Sequence, residues 1–219
     1  MHHDTPPDTP SITHLPWQFL QFARRHQVLR LGQFTLKSGR SSNFFFDLGR
    51  VRHGGALSLL AEFYALRLLE RGLPCDSLFG SAYKGIVLVA ALAMRLAEHH
   101  GCDLPYCYNR KESKDHGEGG LLVGTPMGKV VIVDDVLTAG TATRQVVPLL
   151  RQAGAEPVAL LVGLDREEPG PGGQSAALEL RRDLGLEVIA VAKKGDLERF
   201  LEQEAPEDYA RLFRGGQAR

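Results

Sequence analysis

Two adjacent carboxylates, Asp134 and Asp135, follow four consecutive apolar β-formers, Val130 to Val133, and precede the small-residue run Thr138-Ala139-Gly140-Thr141-Ala142. An apolar run of that length reads as a strand covered on both faces, as in a parallel sheet, so the acids fall at its carboxyl end. Ligands of open α/β sheets bind at that end, and a small-residue loop opening the next helix can aim backbone N–H groups at a phosphate. Ionised carboxylates, for their part, accept hydrogen bonds from a ribose diol. The combination implies a phosphorylated sugar. A nucleotide P-loop fits less well, because it would need Lys after the glycine and would not set two carboxylates beside the anion. One Asp capping the next helix would account for a single acid, but neither for the second nor for the small residues.

Three further constellations carry chemistry. Asn109 to Gly120 mixes Arg110, Lys111, Lys114 and His116 with three glycines. That composition suits a mobile lid over a polyanion, although by composition alone a solvated loop with self-neutralising charges is the plainer reading. Gly80-Ser81-Ala82-Tyr83-Lys84-Gly85 ends one strand and opens a helix, so its N–H groups and Lys84 could receive a pyrophosphate. A turn with a snorkelling lysine describes it equally well. Leu164-Asp165-Arg166 closes an apolar strand and puts Arg166 at the same edge as the acidic pair, where a guanidinium can clamp a carboxylate at two points.

The elements that must position these residues alternate along the chain. Pro16, Trp17, Leu20, Phe22, Ala23 and Val28 predict a helix ending near Gly32. Short strands are expected over Phe34 to Leu36 and Phe44 to Asp47, then a helix through Leu59 and Leu66 stopped by Gly72 and Pro74. Strand Ser77 to Phe79, helix Gly85 to His99, strands Tyr106 to Tyr108 and Val130 to Val133, and helix Thr141 to Ala153 follow. Strands Val158 to Leu164 and Glu187 to Val191 extend the series, with helices over Ala176 to Leu184 and Asp196 to Arg211. The alternation predicts an α/β fold with a mostly parallel central sheet flanked by helices. Pro148 should kink or shorten its helix. Pro169 to Gly173 reads as a surface loop rather than a linker.

The 219 residues fit one domain, expected over 16–219, after a floppy tail over 1–15 that is rich in Pro, Thr and Asp. Lys plus Arg equals Asp plus Glu at 26 each, so there is no basic field to attract nucleic acid or an anionic membrane. The longest apolar run, Ile86 to Met94, is too short to span a bilayer, and the N-terminus lacks a signal-peptide core. The three cysteines, Cys75, Cys102 and Cys107, have no zinc-type pairing with His and read as reduced structural thiols. A cytoplasmic protein is expected.

The acidic-pair segment resembles the phosphoribosyl pyrophosphate (PRPP) signature of the type I phosphoribosyltransferases, and the Asn109 to Gly120 dodecamer is very similar to the catalytic loop of the orotate phosphoribosyltransferases within that group. The resemblance covers roughly Phe19 to Leu201. It implies a type I phosphoribosyltransferase fold with a small N-terminal hood, mainly 16–50, and transfer of the 5-phosphoribosyl group from PRPP to orotate in pyrimidine synthesis. By the same likeness PRPP is bound by Lys37, Tyr83, Lys84, Arg110, Lys111, Lys114, His116, Asp134, Asp135, Val136, Leu137, Thr138, Ala139, Gly140, Thr141 and Ala142. Orotate is bound by Lys37, Phe45, Phe46, Thr138 and Arg166, although three consecutive phenylalanines usually mean core and alternate strand residues face opposite sides. Lys114, His116 and Asp135 are the implied catalytic residues, Mg2+ is held mainly through PRPP, and a homodimer carries each lid into its neighbour's site. The family's usual proline in the Gly80 to Gly85 turn is Ser81 here, and its Ser-Pro before the phenylalanines is Ser42-Asn43. Two other readings share the acidic-pair segment: a transferase for another nucleobase, which should lack the Lys114-Asp115-His116-Gly117-Glu118 arrangement and an arginine clamp, and a non-catalytic PRPP-sensing regulator, which would carry a DNA-binding module.

Overall fold

The computed structural model of the chain describes residues 10–35, 41–114 and 120–214. A 3-10 turn, Ile12–His14, lies within the stretch expected to be a tail and leads into α1 (Leu15–Arg25). Helix α1 stops well short of Gly32. Gln27 turns the chain at a φ of 56°, and Val28, which helical spacing assigned to the helix, is instead buried at the entry to strand β1 (Leu29–Thr35). That strand pairs antiparallel with β2 (Ser41–Phe46), with Leu29 opposite Phe46 and a bulge between Leu31 and Phe34. The two form a small separate sheet.

Helix α2 (Gly54–Arg71) ends on Gly72, whose left-handed φ of 59° is open to glycine at no steric cost. There follow β3 (Ser77–Gly80), α3 (Lys84–His100), β4 (Tyr106–Lys114), β5 (Gly120–Val123), β6 (Lys129–Leu137), α4 (Thr141–Gln152), β7 (Glu156–Asp165), α5 (Ala176–Leu184), β8 (Glu187–Lys193), α6 (Lys194–Glu204) and α7 (Pro206–Tyr209). The main sheet runs β5-β4-β3-β6-β7-β8, with only β5 antiparallel to its neighbour. Strand β4 is longer than expected, and β5 was not foreseen. Arg110 and Lys111 therefore stand on one arm of an antiparallel ribbon in which Asn109 pairs with Leu122. The helix expected over Asp196 to Arg211 breaks after Glu204, because Pro206 cannot donate to a continuing helix and instead opens α7. Helix α4 continues through Pro148 to Gln152.

Apolar runs in the central strands are buried on both sides. Val131, Val133 and Leu161 face a core with α1, α2, α3 and α6, whereas Val130, Ile132 and Val162 face Val146, Val147 and Leu150 of α4 and Leu180 of α5. Burying a side chain of this size contributes about 1.5–3 kcal/mol. The chain leaves β3 toward β4 on one side and comes back as β6 on the other, which makes the carboxyl ends of β3 and β6 the point where strand order reverses. Gly80 lies opposite Val133 there, so the turn after β3 and the acidic pair emerge side by side.

Candidate active site

Backbone packing shapes the turn after β3 before any side chain does. A Cβ on Gly80 would lie 2.3 Å from the Gly85 carbonyl oxygen, and one on Gly85 would lie 2.7 Å from that of Val133. Neither distance is tolerable, so both positions need glycine for helix α3 to start this close to the sheet. The Ala82–Tyr83 peptide is cis. Asn109, on the neighbouring strand, accepts the Ala82 N–H at 2.9 Å and ties the turn to the ribbon that carries Arg110 and Lys111. Lys111 Nζ lies 4.5 Å from the Tyr83 ring centre, a cation–π contact across the same gap.

Helices α3 and α4 both begin without a side-chain cap and without an acid in the first turn. Their leading N–H groups and the positive ends of their dipoles are thus available to anions. Before α4, Gly140 takes a left-handed φ of 78° that fits only glycine well, with Leu180 of α5 packed against its backbone. Thr138, Thr141 and Ala142 are exposed and Ala139 is half-buried, so the expected phosphate loop is open to solvent. Leu137 is not: its side chain is in the core and its carbonyl accepts the Arg166 N–H at 3.1 Å. Val136 is packed against the opposite core.

Between the two turns stand the acids. Burial, and then the charge of Asp135 beside it, pushes the Asp134 carboxyl up to about 7. Asp134 Oδ1 accepts the Asp135 N–H at 2.9 Å. Lys84 Nζ lies 2.7 Å from Asp135 Oδ2 and 2.9 Å from Asp47 Oδ1. Burial alone would lower the Lys84 ammonium, but the hydrogen bonds and charges of Asp135 and Asp47 outweigh it and hold it above the usual lysine value. From below, the fully buried Tyr64 hydroxyl donates to the Asp134 carbonyl at 3.0 Å.

The hood adds a cavity of about 610 Å³ bordered by Ser42, Asn43, Phe44, Arg166, Lys194 and Tyr209. Arg166 is only 5% exposed. Its Nε donates to Glu168 at 2.6 Å, its Nη2 donates to Ser42 Oγ at 2.7 Å, and its guanidinium lies 4.3 Å from the Phe44 ring centre. Alternation along β2 divides the three phenylalanines differently from the expectation. Phe44 is on the cavity wall, Phe46 is buried against Phe19 at 5.9 Å, and Phe45 turns outward to Phe34 and Arg30. Phe44 and Phe46 are both buried in the same core, and the ring beside Arg166 is that of Phe44. Asn43, at the family's proline position, donates to the Leu212 carbonyl at 2.6 Å and brings the C-terminal segment to the cavity.

Asp134, Asp135, Lys84, Tyr83 and Lys111 are therefore brought together. Lys37, His116 and the side chain of Lys114 lie outside the described residues, and Arg110 is on the ribbon that borders Tyr83. Sequence reading missed Asp47, Tyr64, Asn109, Ser42 and Glu168. Asp47 and Asn109 end or begin motifs already singled out, which was a usable cue. Tyr64 sits in a helical apolar pattern and offers none. Cys75 and Cys107 are pushed up to about 11 by burial, in keeping with inert thiols. No helix among the described residues is long and apolar enough to cross a membrane.

A model of the phosphoribosyl transferase domain matches residues 59–171. Among curated proteins, the orotate phosphoribosyltransferase of Thioalkalivibrio sulfidiphilus is 54% identical over 188 residues, 85% of this chain and 88% of that protein. That of Cellvibrio japonicus is 51% identical over 187 residues, 85% of this chain and 87% of its own. A crystal structure of orotate phosphoribosyltransferase from Francisella tularensis superposes with a TM-score of 0.77 at 34% identity, covering 90% of this chain and 98% of that one.

Proposed function

The chain belongs to the orotate phosphoribosyltransferases, within the phosphoribosyl transferase family, and on that premise we propose how its own residues divide the reaction of orotate and PRPP to orotidine 5′-monophosphate and pyrophosphate. Asp134 and Asp135 hold the ribose 2′ and 3′ hydroxyls, and the loop from Thr138 to Ala142, at the uncapped start of α4, cradles the 5′-phosphate. Tyr83, Lys84 and the α3 N-terminus receive the pyrophosphate. The observation that carries this assignment is the placement of both uncapped turns side by side at the sheet's switch point, joined by the Lys84–Asp135 contact.

Breaking the bond to the anomeric carbon develops positive charge on ribose and negative charge on the leaving group. Lys84 then meets the leaving group, together with Arg110, Lys111, Lys114 and His116 of the ribbon and its connection, and these groups stabilise the transition state more than the ground state. The acidic pair favours the cationic sugar. Closure of the ribbon excludes water that would hydrolyse PRPP. Orotate lies under the hood, its carboxylate clamped by Arg166 and its ring near Phe44, with Lys37 and Thr138 as further contacts.

Among the described residues no three His, Cys, Asp or Glu side chains cluster to hold a metal ion. Mg2+ would be held mainly through PRPP's own oxygens, with the acidic pair standing beside them. Mg2+ bound in that way supplies charge neutralisation to the leaving pyrophosphate. The exposed apolar side chains of Tyr83, the N-cap of α3, and of Val87 and Met94, which follow it by four and then seven residues, favour a homodimer in which the ribbon reaches the neighbouring site. Reduced thiols and balanced charge favour the cytoplasm.

Mixing the protein with PRPP, Mg2+ and orotate and following the fall in orotate absorbance tests the whole scheme. Turnover with adenine or another base in place of orotate would instead favour the alternative transferase, and DNA binding in a gel shift the regulator.

A further inference from the structure

We propose that Glu168, with Ser42, is a positioning and specificity residue: it holds the Arg166 guanidinium in the orientation that clamps the substrate carboxylate. This rests on the reading of Arg166 as that clamp.

Three observations carry it. Arg166 is almost fully buried, and a guanidinium cannot shed its proton, so its charge needs a standing partner when no anionic substrate is present. Glu168 Oε1 takes the Nε–H at 2.6 Å, Ser42 Oγ takes an Nη2–H at 2.7 Å, and Phe44 covers one face of the plane. The Ser42 hydroxyl in turn donates to the Phe44 carbonyl at 2.7 Å and accepts the Phe44 N–H at 3.3 Å, which leaves one lone pair for Arg166. With Nε and one Nη2 hydrogen engaged, a planar fork can no longer rotate, and the rest of its donors are presented in one direction toward the cavity.

The backbone turns between Arg166 and Glu168. Glu167 holds a left-handed φ of 52°, uncommon for a non-glycine residue and costly by itself. Two contacts maintain it: the Glu167 N–H donates to Asp165 Oδ1 at 2.9 Å, and Glu167 Oε2 accepts the Gly195 N–H at 3.0 Å. The bend is what returns Glu168 to the side chain only two residues before it. An extended backbone would set residues 166 and 168 about 7 Å apart along the strand, whereas here the turn at Glu167 accompanies a 2.6 Å contact between Glu168 Oε1 and Arg166 Nε.

The test compares steady-state constants of full-length variants with orotate, uracil and PRPP in the presence of Mg2+. Glu168→Ala should raise KM for orotate by about tenfold or more, leave KM for PRPP within about twofold, and lower the orotate-to-uracil preference in kcat/KM. Glu168→Gln, whose amide oxygen still accepts from Nε, should recover most of the loss. Ser42→Ala should shift orotate in the same direction by less. Adding Glu168→Ala to Arg166→Ala should cost nothing further, because the residue acts through the arginine. Should Glu168→Ala fail to fold, Glu168→Asp, one methylene too short to reach Nε, carries the same expectation.

If Arg166→Ala collapses the orotate-to-uracil preference while the Glu168 variants leave it unchanged, the positioning role is overturned and the clamp stands. If Arg166→Ala itself leaves the preference unchanged, the clamp reading falls and takes this proposal with it. Equal rises in the orotate and PRPP constants would mark Glu168 as merely structural and overturn it too.

Discussion

Lys84 Nζ lies 2.7 Å from Asp135 Oδ2, so the cation proposed to receive pyrophosphate is paired with a carboxylate proposed to hold ribose. Asp47 grips the same ammonium from the hood side at 2.9 Å. On the proposed assignment PRPP would bring hydroxyl donors to the acid and phosphate oxygens to the lysine, so both partners would exchange one charged contact for another. Neither is left bare.

Removing the carboxylate charges tests the pair directly. The double variant Asp134→Asn, Asp135→Asn should fold and lose about a hundredfold or more in PRPP-dependent turnover, since charged hydrogen bonds to the diol become neutral ones. Near-normal kcat/KM would remove the acidic pair from the mechanism.

The same site sets a pH dependence of stability. Burial and the neighbouring Asp135 raise the Asp134 carboxyl to about 7 in the folded state, against about 3.9 when unfolded. The native state therefore keeps its proton longer, and this group's contribution is fully favourable below about pH 4 and declines as pH rises to about 7. Asp134→Asn should be the more stable protein at pH 8, by on the order of a few kcal/mol, with the advantage shrinking toward pH 4. Denaturant melts of both proteins across that range measure it, and a constant difference would refute the assignment.

Tyr64 should matter more than an ordinary core aromatic. Tyr64→Phe fills the same space but removes the hydroxyl donor from the Asp134 carbonyl, at a cost of about 1–3 kcal/mol in denaturant unfolding. Because that carbonyl belongs to the acidic pair's backbone, KM for PRPP should rise as well. Unchanged stability and KM would show that the hydroxyl does no work there.

The ribbon can be tested by mixing. Lys114→Ala should lower turnover more than PRPP binding, since a closing segment makes its strongest contacts after closure. If the ribbon crosses a dimer, combining this variant with the Asp134, Asp135 double variant should restore one competent site in each mixed dimer. No recovery after verified subunit exchange would place the ribbon's action within its own chain.

Much of this was legible in the residues because its causes are local. The run Val130 to Val133 makes a buried strand, Gly72 and Gly140 supply left-handed turns, and the acids follow the strand within two residues. Propensity, periodicity and caps act over a few positions, so sequence alone determined the alternating α/β order and the two turns that open α3 and α4. Where a local cue was overlooked, as at Pro206, the helix boundary was misplaced.

Other features exist only because distant segments meet. Tyr64 reaches Asp134 across 70 residues, and Ser42 reaches Arg166 across 124. Strand β5 owes its place to pairing with β4, and the alternation of β2 could be read while the face turned to the cavity could not. Sheet order and the docking of the hood decided which of three phenylalanines faces Arg166 and which acid grips Lys84. Those outcomes follow from packing between elements far apart in the chain, for which no short stretch of sequence carries the information.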